Sequence, residues 1–139
     1  MPQPIQYDSA HLDLSARFYQ SSTVVGSPAL AAETTIASVT ITTDVAITKA
    51  AYLLTWCAFT IGTSGTSFRL RIRRDTIAGL TIADSGLVTA TAANLVAPVI
   101  FGFDTTAAPP GQVYVTTLLV TAGSAASTVS AVNALAVAV

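Results

Sequence analysis

The sequence predicts an all-β protein, an eight-stranded antiparallel jelly-roll sandwich with an N-terminal arm. After Pro28, short apolar segments follow one another with a period of two, and turn-rich links separate them. No segment shows the 3.6-residue period of a convincing helix. Eight segments, with one very long early segment and a final one that returns to the core, favour a jelly roll. An immunoglobulin-like sandwich is the alternative, but the chain lacks its Cys…Trp…Cys arrangement.

The predicted strands carry the core in their alternating residues. In the first of them Ala37, Val39 and Ile41 share one face. Pro98 falls inside the sixth, which implies an edge strand or a bulge at that point. The eight predicted strands cover residues 34–42, 50–61, 66–74, 79–83, 87–92, 95–103, 112–121 and 127–139.

The first 30 residues differ from the rest in composition, with three of the six prolines and the only histidine. For residues 11–20 the sequence predicts either one helical turn or a short edge strand. We interpret residues 1–30 as an arm and residues 31–139 as the jelly-roll domain. An arm of this kind reaches over a neighbouring subunit, although a disordered terminus is the alternative. Three aromatic residues of the arm are candidate partner contacts: Tyr7, Phe18 and Tyr19.

Composition excludes several classes of protein. At 139 residues the chain is long enough for one domain with a core of its own. A net charge of −1 gives no electrostatic reason to expect nucleic acid or an acidic membrane as a partner. Thr, Ser, Gly or Pro interrupts every apolar run within a few residues, so no membrane-spanning helix is predicted. The first ten residues lack the basic and apolar regions of a secretory signal.

Three predicted strands, at 50–61, 112–121 and 127–138, are apolar on both faces. We expect them to lie side by side in one sheet, whose outer side is then apolar as well. A monomer rarely exposes such a surface, and closed symmetric homo-oligomers are the usual way to cover it. The alternative is that small Ala and Thr side chains tolerate solvent. The predicted oligomer interface consists of Tyr52, Leu54, Trp56, Tyr114, Leu118, Val120, Val132, Ala134, Ala136 and Ala138.

Residues 66–74 carry the one concentration of charge. Arg69, Arg71 and Arg73 share a strand face at about 7 Å spacing, and Arg74 follows them. These arginines are candidate contacts for carboxylates of a partner protein or a neighbouring subunit. An equally weighted alternative is an edge strand that charge protects against unwanted pairing. Nucleic-acid binding is less favoured, because interleaved aromatic residues and a wider basic field are missing.

No constellation of side chains indicates catalysis or metal binding. The only histidine, His11, has Asp8 and Asp13 nearby in the arm, which is too little for a metal or acid–base site. Cys57 is predicted to be a buried structural thiol, and Ser64 a turn residue. We therefore predict no enzyme activity, no catalytic or metal-binding residue and no cofactor.

The Ala/Thr/Gly-rich texture, the segment FRLRIRRDT and the ending STVSAVNALAVAV resemble small jelly-roll virion proteins of tailed bacteriophages. These are head decoration or cement proteins, and the trimeric jelly rolls they belong with include the tumour-necrosis-factor-like fold. The resemblance covers residues 30–139. It implies a homotrimer, made in the host cytoplasm, that binds the major capsid protein or another virion protein and stabilises the viral head. The alternative is a fibre head or carbohydrate-binding module for host recognition, which needs an exposed aromatic platform or a loop-built pocket.

Overall fold

The computed structural model describes residues 17–23, 32–41, 50–105, 111–121 and 127–138. In these residues the chain forms ten strands and no helix. The strands are β1 (Arg17–Thr23), β2 (Glu33–Ile41), β3 (Ala51–Ile61), β4 (Ser67–Arg74), β5 (Thr81–Asp84), β6 (Val88–Thr89), β7 (Asn94–Val96), β8 (Val99–Asp104), β9 (Gln112–Thr121) and β10 (Thr128–Ala138).

The strands build two antiparallel sheets that pack face to face. Sheet A has the order β1-β10-β3-β7, and β8 also pairs with β3. Sheet B has the order β2-β9-β4-β5, and β6 also pairs with β4. The chain crosses repeatedly from one sheet to the other, since β1, β3, β7, β8 and β10 lie in sheet A and the other strands lie in sheet B. The predicted antiparallel jelly-roll sandwich is confirmed.

Two features explain why the structure has ten strands. The predicted segment 95–103 is divided at Pro98 into β7 and β8, and the carbonyl oxygen of Pro98 accepts a hydrogen bond from the Cys57 N–H at 3.3 Å. Among the described strands, β7 and β8 pair only with β3, so the proline lies in an edge of sheet A, as predicted.

The other additional strand, β1, comes from the segment predicted as an arm. It pairs with β10 from Arg17↔Ala138 to Thr23↔Val132. The sandwich therefore includes residues that precede the proposed boundary at residue 31. For residues 17–20 the structure has the edge strand and not the helical turn. The rest of the proposed arm, with Tyr7, lies outside the described residues.

Alternate residues of facing strands form the core. Ala37, Val39 and Ile41 are buried together, as the alternation predicts. Phe59 of β3 meets Phe68 of β4 edge to face, with ring centroids 5.5 Å apart, and so joins the two sheets. Each fully buried side chain of this size stabilises the fold by about 1.5–3 kcal/mol. Other large buried side chains are Ile36, Leu53, Ile61, Leu70, Ile72, Val129 and Val132.

The position of β9 corrects the expectation that the three two-sided apolar strands share one sheet. β10 and β3 are neighbours in sheet A, but β9 lies in sheet B between β2 and β4. Tyr114, Leu118 and Val120 consequently point into the core, with exposures of 1%, 0% and 0%. The outer side of β9 is sheltered too, because Thr117 there is 0% exposed and bonds to Glu33 of β2.

Along one side the sandwich is closed by a close approach of β8 to β5. A Cβ atom at Gly102 would lie 3.0 Å from the Cβ of Ala83 and 3.2 Å from the Cγ2 of Ile82. Only a hydrogen atom fits there without a shift of the neighbours. Gly102 therefore lets the edge of sheet A touch the edge of sheet B, and the aromatic residues on either side of it point outward.

Candidate interaction surfaces

The outer face of sheet A is a grid of nine positions on β10, β3 and β8. Eight of the nine side chains are apolar or aromatic, and the ninth is an asparagine. Because paired residues on neighbouring strands point to the same side of a sheet, each row across the three strands forms a continuous contact. The rows are Val137–Tyr52–Phe103, Leu135–Leu54–Phe101 and Asn133–Trp56–Val99.

Three aromatic side chains of this face stack on one another while exposed to solvent. The Tyr52 ring lies 4.5 Å from the Phe103 ring and 6.1 Å from the Phe101 ring, centroid to centroid, in stacked orientations. Phe101 is 61% exposed, although phenylalanine is among the residues most often buried. Next to the grid, Leu95 of β7 is 62% exposed and pairs with Thr60. The face is thus an extended apolar surface.

Tyr52, Leu54 and Trp56 of the predicted interface lie on this face, with exposures of 42%, 37% and 38%. Sequence reasoning missed the β8 residues beside them, Val99, Phe101 and Phe103. The signal was in the sequence, since Ile100 and Gly102 alternate with these residues after Pro98 and point inward.

The orientation of β10 corrects another expectation. Val132, Ala134 and Ala136 are 1%, 2% and 0% exposed and belong to the core, where β10 packs against β2 of the opposite sheet. Such residues have no surface to offer a neighbouring subunit. The outward side of β10 is the one with Asn133, Leu135 and Val137, and all three are half-buried. The side chain of Ala138, also predicted at the interface, lies outside the described residues.

The register of β1 extends this face toward the edge of sheet A. Gln20 is exposed and pairs with Leu135. Phe18 and Tyr19, two of the candidate partner contacts, pair through their backbones with Val137 and Ala136. Their side chains are outside the described part of the chain, so a role in partner contact stays a prediction.

On the outer face of sheet B, the arginines of β4 bind carboxylates of the same chain. Arg73 donates to both carboxylate oxygens of Glu33 at 2.9 Å, and Arg71 donates to Glu33 at 3.0 Å. Arg69 donates to both oxygens of Asp84 at 2.5–3.0 Å, and Arg71 reaches Asp84 at 3.1 Å. Two carboxylates thus link three arginines, and contact with a partner through these arginines stays a prediction.

The edge-strand interpretation of residues 66–74 is wrong. β4 has β9 on one side and β5 with β6 on the other, so its backbone groups are paired on both sides. The arginines therefore do not protect an exposed edge. They lie across the sheet, and their bonds to Glu33 tie β4 to β2 over the intervening strand β9.

The network keeps its carboxylates ionised. The hydrogen bond from Arg69 holds the pKa of Asp84 well below its ordinary value, against the opposing effect of burial. Burial alone would raise the pKa of Glu33, but hydrogen bonds from Arg73 and Thr117 and the charges of Arg73 and Arg71 together lower it. Both groups are therefore fully charged at neutral pH.

Arg74 has a different environment from its three neighbours. Its Nε donates to Asp104 at 2.9 Å, its Nη2 bonds to the same carboxylate, and the Tyr114 hydroxyl donates to that oxygen at 2.8 Å. Asp104 is 3% exposed and comes from β8 of sheet A, whereas Arg74 and Tyr114 come from sheet B. Burial, together with the bond to Asp104, raises the pKa of Tyr114, so its hydroxyl stays protonated. This buried cluster connects the two sheets.

The described residues contain no group of three or more His, Cys, Asp or Glu side chains placed to hold a metal ion. Cys57 is buried, as predicted, and burial raises its pKa to about 11, so it is a protonated thiol. Ser64 lies in the turn between β3 and β4, and its hydroxyl donates to the Thr91 carbonyl at 2.8 Å. No helix of the described part is long and apolar enough to cross a membrane. His11, Asp8 and Asp13 lie outside the described residues.

Comparison with known proteins gives a structural likeness only. No family model matches the sequence, and no curated protein matches it. A chain in the structure of infectious bursal disease virus, Gx strain, matches with a TM-score of 0.61 over 90% of this chain at 17% sequence identity. This protein spans 32% of that viral chain. The likeness shows that the sandwich is a fold also found in a chain of that virus structure. The specific resemblance to bacteriophage decoration proteins and to the tumour-necrosis-factor-like fold stays a prediction.

Proposed function

We propose that this chain is a non-enzymatic structural protein of a virus particle that assembles as a homotrimer through the outer face of sheet A. The observation that carries the proposal is the apolar grid on that face, whose β3 and β8 side chains are 37–61% exposed. The fold shared with a chain of the bursal disease virus structure supports the virion part of the proposal. In the particle the trimer acts as a decoration protein, bound to the major capsid protein or another virion protein.

The size of the grid suits an interface with copies of the same chain. Six side chains are 37–61% exposed, four of them aromatic with about 150–250 Å² each, and together they give an apolar patch on the order of 500 Å². A standard interface buries about 800 Å² per partner, around an apolar core with a polar rim. Exposed polar residues supply such a rim: Gln20, Thr60, Thr128 and Ser130. At ~25 cal/mol/Å² the patch alone provides about 12 kcal/mol of gross transfer free energy per subunit.

A carbohydrate-binding module is the second candidate, because the stacked Tyr52, Phe101 and Phe103 rings form an exposed aromatic platform. A sugar also needs polar groups that fix its hydroxyls. Around these rings the grid offers leucine and valine, with Asn133 as its one amide. Apolar neighbours within the grid suit a protein surface better than a sugar, so self-assembly is favoured.

Decoration stabilises a shell by mass action, since a ligand that binds only the assembled shell shifts the equilibrium toward it. In the proposed trimer the sheet A faces turn toward the axis, which leaves sheet B and the chain before β1 for contacts with the shell. Residues 17–23 form β1, so a test of the N-terminal segment has to keep them. Deletion of residues 1–16 is expected to leave the trimer intact and to abolish shell binding; undiminished binding would contradict a role for this segment.

The decisive measurement for assembly is the solution mass of the full chain by light scattering at micromolar concentration. The expected result is three times the chain mass of 14.2 kDa. A monomer at that concentration contradicts the proposal. Glycan-array binding by a monomeric chain would support the carbohydrate-binding candidate instead.

A further inference from the structure

Asn133 is the one polar side chain in the apolar grid. By register it lies on β10 between Ser22 of β1 and Trp56 of β3. Its neighbours two residues away on the same face are Ala131 and Leu135. The amide has two donors and a strong acceptor, yet its side chain makes no hydrogen bond with the described part of the chain. If a second copy covered it without bonding to it, the burial would cost about 1–3 kcal/mol.

We propose that Asn133 lies at the three-fold axis of the homotrimer, where the amides of three copies hydrogen-bond to one another and fix the register of the subunits. This inference rests on the proposed function and assigns its axis. A residue on a symmetry axis meets copies of itself. A primary amide suits that place because it both donates and accepts, whereas identical charges repel and an aliphatic side chain makes no directional bond.

The neighbourhood of Asn133 supports this position of the axis. Trp56, its cross-strand partner, is 38% exposed, and tryptophan is enriched at the energetic centres of interfaces. Trp56 and Leu135 flank the amide on two sides, and once copies of the chain cover it, a satisfied hydrogen bond is strong while an unsatisfied one is costly. The aromatic pair Tyr52 and Phe103 lies two rows away, at the opposite end of the grid.

The amide also restricts the registers in which an apolar face can pack against copies of itself. Leucine, valine and phenylalanine pack against one another in several registers with similar free energies. A single buried polar group rejects the registers in which it is unpaired, as one buried asparagine does in a coiled coil. Asn133 is therefore a specificity-determining residue, whereas the apolar grid supplies the affinity.

Cysteine cross-linking tests the axis directly in the full chain. Asn133→Cys under mild oxidation is expected to give covalent dimers on non-reducing gels, with at most two of every three chains linked, since a trimer brings three thiols together. Val99→Cys is the matched control, because it lies in the same row on the far strand and is expected to cross-link at least about tenfold more slowly. The unmodified chain gives the background, as its only cysteine is 0% exposed.

Charge and shape variants provide a second test. Asn133→Asp places three carboxylates together at neutral pH and is expected to raise the dissociation constant at least about tenfold, with recovery when acid protonates them. Thr60→Asp, exposed on the same face but next to Leu95, is the matched control and is expected to assemble normally. Asn133→Leu is expected to stay oligomeric but to give several masses by native mass spectrometry.

The outcomes separate the inference from the proposed function. A monomeric wild-type chain overturns both. A trimeric wild-type chain whose Asn133→Cys variant does not cross-link above the Val99→Cys variant overturns the inference alone. If the Asn133→Cys variant does not fold, the inference is tested by comparing the two aspartate variants. Equal trimer masses for Asn133→Asp and Thr60→Asp overturn it.

Discussion

The outer faces of the two sheets differ in the side chains they carry and in how those side chains are satisfied. Sheet A presents leucine, valine and aromatic rings, and sheet B presents arginines bound to Glu33 and Asp84. The charged side chains are the better sheltered, since those of Arg71 and Arg73 are 14% and 15% exposed, whereas Phe101 is 61% exposed. This reverses the usual distribution of polar and apolar residues.

This difference between the two faces shows which of them has its side chains sheltered or paired within a single chain. In sheet B the guanidinium groups of Arg71 and Arg73 bind Glu33 across β9, and that of Arg69 binds Asp84, so all three bind carboxylates of the same chain. In sheet A the rings of Tyr52, Phe101 and Phe103 stack on one another and stay exposed to solvent. We therefore expect substitutions on sheet A to change assembly and substitutions on sheet B to change the stability of the fold.

The largest effect on assembly is expected at the middle position of the apolar grid on sheet A, Leu54. Leu54→Asp is predicted to weaken oligomer formation at least about a hundredfold, because covering an unpaired carboxylate costs several kcal/mol. Light scattering over a concentration series measures the change. Ile77→Asp is the matched control, since Ile77 is 39% exposed, close to the 37% of Leu54, but lies in the turn between β4 and β5. Assembly of Leu54→Asp at wild-type affinity would remove the distinction between the two faces.

On sheet B, Glu33→Gln is predicted to lower the free energy of unfolding by about 2 kcal/mol and to leave the oligomer mass unchanged. The substitution removes the charge that compensates Arg71 and Arg73, and it weakens the bond from Thr117. Urea denaturation measures the loss. Thr35→Ala, an exposed position on the same strand, is the control. Equal midpoints for the two variants would show that the network adds nothing to stability.

Acid is expected to lower the free energy of unfolding through the two carboxylates of sheet B, Glu33 and Asp84. The ordinary pKa values are 4.5 for Glu33 and 3.8 for Asp84, and both are lowered in the folded chain. As the pH falls below these values the unfolded chain takes up protons that the folded chain does not, so the free energy of unfolding decreases. Urea midpoints should be constant from neutral pH to about 5 and fall in more acidic solution, and the fall should be smaller in Asp84→Asn. An equal fall in that variant would contradict the assignment.

The smallest effect is expected at the rim of the same network. The side chain of Arg69 is 35% exposed, and exposed ion pairs add little to stability even when their geometry is good. Arg69→Ala should lower the urea midpoint less than Arg73→Ala does, since the side chain of Arg73 is 15% exposed and binds both oxygens of Glu33. The reverse order would mean that shelter from solvent does not determine which arginine matters.

The sequence predicts the strands better than it predicts their partners. Period-two alternation places Phe68, Leu70 and Ile72 in the core because polar residues occupy the opposite face of the same strand. In β10 both faces are apolar, so alternation alone cannot determine that Ala134 points inward and Leu135 outward. That choice depends on β2 across the core, which is distant in sequence.

The same limit applies to the candidate surfaces. That the chain has an excess of apolar surface can be predicted from composition, and Trp56 was correctly placed on an outward face. The pairing of Arg73 with Glu33 could not be predicted, because it needs β2, β9 and β4 in neighbouring positions of one sheet. β1 was missed as part of the sandwich because RFYQSST has few apolar residues, and its pairing with β10 becomes visible only in three dimensions.

The central position of β10 has a consequence for biosynthesis. β10 separates β1 from β3 in sheet A, so neither neighbour can complete its backbone pairing there until residues 128–138 have left the ribosome. Until then β3, which carries Tyr52 and Trp56, has an unpaired edge next to an exposed apolar surface. A chain in this state is prone to aggregation. Contacts so distant along the chain also make folding slow. We therefore expect the nascent chain to be prone to aggregation until β10 has paired with β3 and β1.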